Sequence, residues 1–184
     1  MLAARIAKRL ARSNVRLLCV ISGPSGSGKT TLLKALSEEF PAIEFRDLDE
    51  FDNEVVDILD LPSKQSKSWS AADGKLLFEK RQQLMDDVIE NSDKSLVFGG
   101  IPFEDDKELR FPSETKKFLL GVDAKTSAMR AYKRSQTEGP NSRRKLSELP
   151  LDEQDAQADI DRLLKSGYEY ASEDQIRDFL SRNG

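Results

Sequence analysis

The sequence contains no histidine, one cysteine and one tryptophan in 184 residues. Each scarcity closes a branch of chemistry. Without histidine there is no imidazole base, no imidazole metal ligand and no Ser-His-Asp relay. Cys19 alone allows no disulfide framework and no thiolate metal cluster, and its place inside an apolar run suits a small core residue. No apolar stretch approaches the roughly 20 residues that span a bilayer, so no membrane partner is expected. A net charge of −4 and a pI near 5.1 argue against an extended basic groove for nucleic acid. What remains for chemistry is carboxylates, lysines, arginines, hydroxyls and a borrowed metal.

Against those absences stands one specific stretch, Gly23-Pro24-Ser25-Gly26-Ser27-Gly28-Lys29-Thr30, followed by Thr31. It fits G-x-x-x-x-G-K-[ST], the loop that wraps the phosphates of a nucleoside triphosphate. The physical reason is directional. A polyphosphate needs donors from several sides at once, and successive backbone N–H groups supply them where glycines remove Cβ clashes. The helix that follows aims its free N–H groups and the positive end of its dipole at the same point. Lys29 is placed to reach the β- and γ-phosphates and the Thr30 hydroxyl to ligate Mg²⁺. The apolar run Val15–Ile21 before the loop reads as a buried parallel strand, and Thr31–Leu36 after it as a helix. A nucleoside triphosphate, ATP by default, and Mg²⁺ are therefore the expected ligands.

The rest of the chain alternates. Strands are expected at 43–49, 95–98, 118–122 and 167–170, and helices at 73–91, after Asp123, at 152–165 and after Ser172. Ser172 with Gln175 makes a capping box. The expectation is an α/β fold, a five-stranded parallel sheet with helices on both faces, forming one domain over residues 1–184. Residues 1–12 are basic and amphipathic; they read as a helix packing Leu2, Ile6 and Leu10 on the sheet rather than as a leader, which implies a cytoplasmic protein. Segment 50–70, with Pro62 and the lone Trp69, reads as an aperiodic connection. The carboxyl edge of such a sheet carries the functional groups. Here that edge holds the loop, Asp47, Asp49, Gly99, Gly100 and Asp123.

Several nucleotide-loop families are excluded by what is missing. There is no Asn-Lys-x-Asp motif of GTPases, no Leu-Ser-Gly-Gly-Gln signature of ABC ATPases and no substrate segment of guanylate kinases. With acids after the second strand and arginines after the fourth, the layout resembles P-loop small-molecule kinases. The uridine-kinase-like and the shikimate/adenylate-kinase-like groups fit best. That resemblance implies transfer of the γ-phosphoryl group of Mg-ATP to a hydroxyl of a small molecule, most simply a nucleoside or nucleotide, by a monomer or homodimer. It implies that Asp49, with Asp47 as second choice, orients and deprotonates the acceptor, that Asp49 joins Thr30 at the metal, and that 50–70 binds the acceptor. It also implies a lid over 130–147, with Arg130, Arg134 and Arg143 or Arg144 on the phosphates. Gly99-Gly100 is similar to the glycines of shikimate kinases, where backbone amides approach the acceptor. Trp69 is a candidate to stack on an acceptor ring and equally a core residue; Arg81 is a candidate to pair an acceptor anion and equally a surface residue. The rival expectation is a regulatory or assembly ATPase that needs no small-molecule acceptor.

Overall fold

A computed structural model describes residues 17–59, 71–104, 107–137 and 149–184. The elements run β1 (Leu17–Ser22), α1 (Lys29–Glu39), β2 (Ile43–Asp47), α2 (Leu48–Ile58), α3 (Ala71–Asn91), β3 (Ser95–Gly99), β4 (Phe103–Glu104), β5 (Lys107–Glu108), β6 (Lys116–Leu120), α4 (Ala124–Thr137), α5 (Leu149–Lys165), β7 (Glu169–Ala171) and α6 (Glu173–Asn183). The main sheet has five strands in the order β2-β3-β1-β6-β7, and every pairing in it is parallel. The architecture is therefore the α/β layering expected from alternation of strands and helices.

Strand alternation divides the core by face. Leu96 and Phe98 of β3 and Leu119 of β6 join one cluster, together with Leu48 and Phe51 of α2, Met85 of α3 and Ile160 and Leu163 of α5. Val97, Phe118 and Leu120 join the other, with Leu32, Leu33 and Leu36 of α1 and Ile176 and Leu180 of α6. Each face is thus closed by a different helix set, which is why the central strands are apolar on both sides. Cys19 is fully buried, and burial raises its thiol pKa, so it stays a protonated core residue.

Segment 50–70 does not begin as an irregular connection, because Leu48–Ile58 is helix α2. The strand consequently ends at Asp47, and Asp49 lies in the first turn of a helix. The Asp47 side chain caps that helix by accepting the Asp49 backbone N–H at 3.0 Å, and Leu48, Phe51 and Val55 make its buried face. Helix α5 turns Ile160 and Leu163 to the sheet and leaves Leu164 39% exposed. After Pro102 comes a small antiparallel pair, β4 with β5. Residues 1–12, Trp69 and the lid arginines Arg143 and Arg144 lie outside the described residues.

Gly99 and Gly100 are explained by packing. A Cβ on Gly99 would stand 2.2 Å from Leu33 Cδ1, and one on Gly100 would stand 2.7 Å from Leu48 Cβ. Gly100 also has φ +143°, where side-chain-bearing residues are strained. Its amide donates to the Ile21 carbonyl at 3.1 Å, so that N–H serves the sheet. Gly100→Ala is expected to destabilise the fold by about 2–4 kcal/mol, from strain plus overpacking. Denaturant unfolding measures it; a midpoint matching the wild type would contradict this packing account.

Candidate functional site

The sheet register assembles the site. Asp47 of β2 pairs across to Gly99 of β3, and Gly99 pairs to Ile21 of β1, so the three strand ends finish level. The glycine loop leaves β1 there and α2 leaves β2 there. Between them lies a cleft of about 170 Å³ lined by Ser25, Gly26, Gly28, Lys29, Thr30, Thr31, Asp47, Asp49, Gly100, Ile101 and Arg134. The cleft thus joins residues from β2, α1, α2, α4 and two loops at one carboxyl edge.

The loop has the geometry of a cradle. Among the described residues nothing lies within 4 Å of where a Cβ on Gly28 would sit, although its φ of +96° suits only glycine. The side of the loop that a Gly28 side chain would occupy is open. Lys29 Nζ folds back on this cradle, donating to the Gly23 carbonyl at 2.6 Å, the Pro24 carbonyl at 2.9 Å and Ser27 Oγ at 3.3 Å. Burial pulls the Lys29 pKa down to about 8, opposed by the charges of Asp49, Asp47 and Asp159. Gly23, Pro24 and Ser27 therefore contribute as partners of Lys29 and do not line the cleft.

The two candidate acids differ in setting. Asp47 is half-buried, and loss of water raises its pKa, opposed in part by the Asp49 N–H, by Lys29 and, least, by the Thr30 hydroxyl. Both acids share the cleft with Thr30. Asp49 is exposed on the first turn of α2, with its side chain open to the cleft. A hydroxyl and two carboxylates beside an open loop offer oxygen ligands to a hard cation. The residues present therefore suit Mg²⁺ at Thr30 with Asp47 or Asp49.

Among the arginines the structure separates two that share a helical face. Arg134 lines the cleft and its guanidinium stands 3.4 Å from Ser25 Oγ. Arg130, one turn earlier, is exposed and outside the cleft lining. It sits near Asp123, whose carboxyl is held below its ordinary pKa first by the Thr126 N–H and hydroxyl and then, more weakly, by Arg130. Arg81 corrects the sequence expectation in both forms, because it is 2% exposed and ion-paired to Asp52.

Two features escaped the sequence reading. Asp159 of α5 is close enough for its charge to oppose the lowering of the Lys29 pKa, and burial raises its own. It also lines a neighbouring cavity with Ser25, Ala128, Ala131, Asp155, Ala156 and Ala158. The Asp155/Asp159 spacing put both on one face of α5, yet nothing local said which face meets the loop. Ile101 was likewise silent as a cleft residue, since its role is set by where β3 ends.

No family model matches the chain, and no curated protein matches it in sequence. Among solved structures it is similar to a shikimate kinase from Acinetobacter baumannii in complex with shikimate. The likeness has a TM-score of 0.50 and 14% sequence identity, over 89% of this chain and 86% of that one. At that identity the likeness is one of fold. Among the described residues, no helix is long and apolar enough to cross a membrane.

Proposed function

We propose that this chain is a phosphotransferase that moves the γ-phosphoryl group of ATP to a hydroxyl of a small molecule, with a nucleoside or nucleotide as the acceptor class. The observation that carries the proposal is the cleft in which the open glycine loop, Lys29, Thr30, Asp47 and the exposed Asp49 converge. The acceptor proton passes to the Asp49 carboxylate while the acceptor oxygen bonds to the γ-phosphorus. The bond from that phosphorus to the β–γ bridging oxygen breaks, and ADP leaves. Lys29 and Arg134 face the phosphates and offset charge as it redistributes. Thr30 and Asp47 would hold Mg²⁺, which would supply charge neutralisation. The shikimate kinase likeness supports a small hydroxylated acceptor in general terms.

The test is ADP release from Mg-ATP with pooled nucleosides, nucleotides, and hydroxylated sugars or acids. Stimulation by one pool, lost in Lys29→Ala, is the expected result. Slow release indifferent to every pool would favour the ATPase reading instead.

The lowered pKa of Lys29 adds a pH prediction. A bound polyphosphate favours the ammonium form, so binding takes up a proton once pH rises past about 8. ATP affinity is flat below that value and falls above it, by about tenfold at pH 9. Calorimetry in buffers of different ionisation enthalpy reads the uptake directly. Lys29→Arg, always charged, should show none; equal uptake in both proteins would rule out Lys29 as its source.

A further inference from the structure

The pair Arg81–Asp52 has no part in the chemistry above, yet it lies directly behind the cleft. Arg81 projects from α3 and is 2% exposed; Asp52 projects from α2 and is 3% exposed. Nε of Arg81 lies 3.2 Å from Asp52 Oδ1, and its Nη2 donates to the Ile101 carbonyl at 3.1 Å. One guanidinium therefore grips two elements that both reach the cleft: helix α2, which carries Asp49 three residues before Asp52, and the Gly100-Ile101 backbone. Those two elements also touch, since Gly100 packs against Leu48 at the start of α2.

We propose that Arg81 is a positioning residue, a buried strut that sets Asp49 and the Gly100-Ile101 wall relative to the phosphate cradle. Burial excludes direct contact with an acceptor. Stability alone is a poor reason for the pair, because two charges withdrawn from water lose hydration that their attraction barely offsets, and apolar replacements often fold as well or better. What apolar side chains do not supply is direction. The planar guanidinium keeps its hydrogen bond to the Ile101 carbonyl and its ion pair with Asp52 in one rigid group, where lysine offers a single mobile point charge. A general base needs such placement, since a displacement of about 1 Å remote from the chemistry can cost about 100-fold in rate. The catalytic consequence rests on the phosphotransfer reading; the positioning itself does not.

Single substitutions strand a buried charge and are expected to lose much of the fold, so the test uses the double variant Asp52→Leu/Arg81→Met. It should unfold at a denaturant concentration equal to or above that of the wild type. Hydrogen exchange on the ligand-free protein should show the Gly100 and Asp49 amides, bonded to Ile21 O and Asp47 Oδ1, exchanging about tenfold faster, with Val20 of β1 unchanged. ATP affinity should stay within about twofold while kcat falls about 10–100-fold. Arg81→Lys, which keeps the ion pair and loses the fork, should fall between the two proteins in kcat. Unchanged exchange at Gly100 and Asp49, or an unchanged kcat in the folded double variant, would overturn the strut. A wild type with no acceptor-dependent turnover would instead overturn the phosphotransfer reading, and exchange alone would then decide the positioning.

Discussion

Asp49→Asn is expected to lower acceptor-dependent kcat by about 10²–10⁴-fold, the range that a positioned general base contributes. The amide keeps the size of the carboxylate and can still orient a hydroxyl, but it cannot take the proton. ATP affinity should be nearly unchanged, because Asp49 is exposed on α2 and the phosphate donors come from the loop. Asp47→Asn should behave differently. Asp47 lines the cleft with Thr30 and caps α2, so removing its charge should raise the Mg²⁺ concentration needed for half-maximal rate, while asparagine, an equally good N-cap, should leave stability nearly unchanged. A Mg²⁺ titration of both variants separates the roles. If Asp49→Asn moved the Mg²⁺ midpoint and Asp47→Asn left it alone, the assignment made here would have to be exchanged.

Lys29→Ala is expected to reduce transfer by about 10²–10³-fold, the loss found when one preorganised charge donor is removed from a developing anion. It should weaken ATP binding as well, because Lys29 acts on ground state and transition state alike. A second effect follows from where the amine rests in the empty loop. Nζ bonds to the Gly23 and Pro24 carbonyls and to Ser27 Oγ, so its removal leaves those acceptors to water and loosens the cradle. Lys29→Ala should therefore show faster amide exchange across 23–28 even without nucleotide. Equal turnover by Lys29→Ala and wild type would place the phosphates elsewhere.

Much of this frame was legible from local pattern. The cradle is a contiguous motif whose glycines, lysine and threonine are fixed by spacing, and the apolar run and leucine-rich helix around it are short-range signals. The capping box at Ser172 and Gln175 formed as expected, with both bonds present. Helix α2 was missed although its signals were there: Asp47 stands three residues before Glu50, and Leu48, Phe51 and Val55 recur at helical spacing. The acids at 47 and 49 looked like a strand end, and that impression hid the cap. The Gly99-Gly100 pair was noticed for its freedom to approach a ligand, whereas the close passage of Leu33 and Leu48 explains it.

By itself the sequence determined the chemistry at hand: no imidazole, no thiolate cluster, one phosphate cradle, and a parallel sheet whose carboxyl edge carries acids. Tertiary structure alone decided which acids and arginines share the cleft. Arg130 and Arg134 are alike in pattern, but of the two Arg134 reaches Ser25 and lines the cleft. Arg81 looked like any helix-surface arginine until α2 and the end of β3 closed over it. The physical reason is range. Periodicity and capping are set by neighbours within a turn or two, whereas these contacts join segments 20 and 109 residues apart, and strand order and helix rotation govern where such distant segments meet.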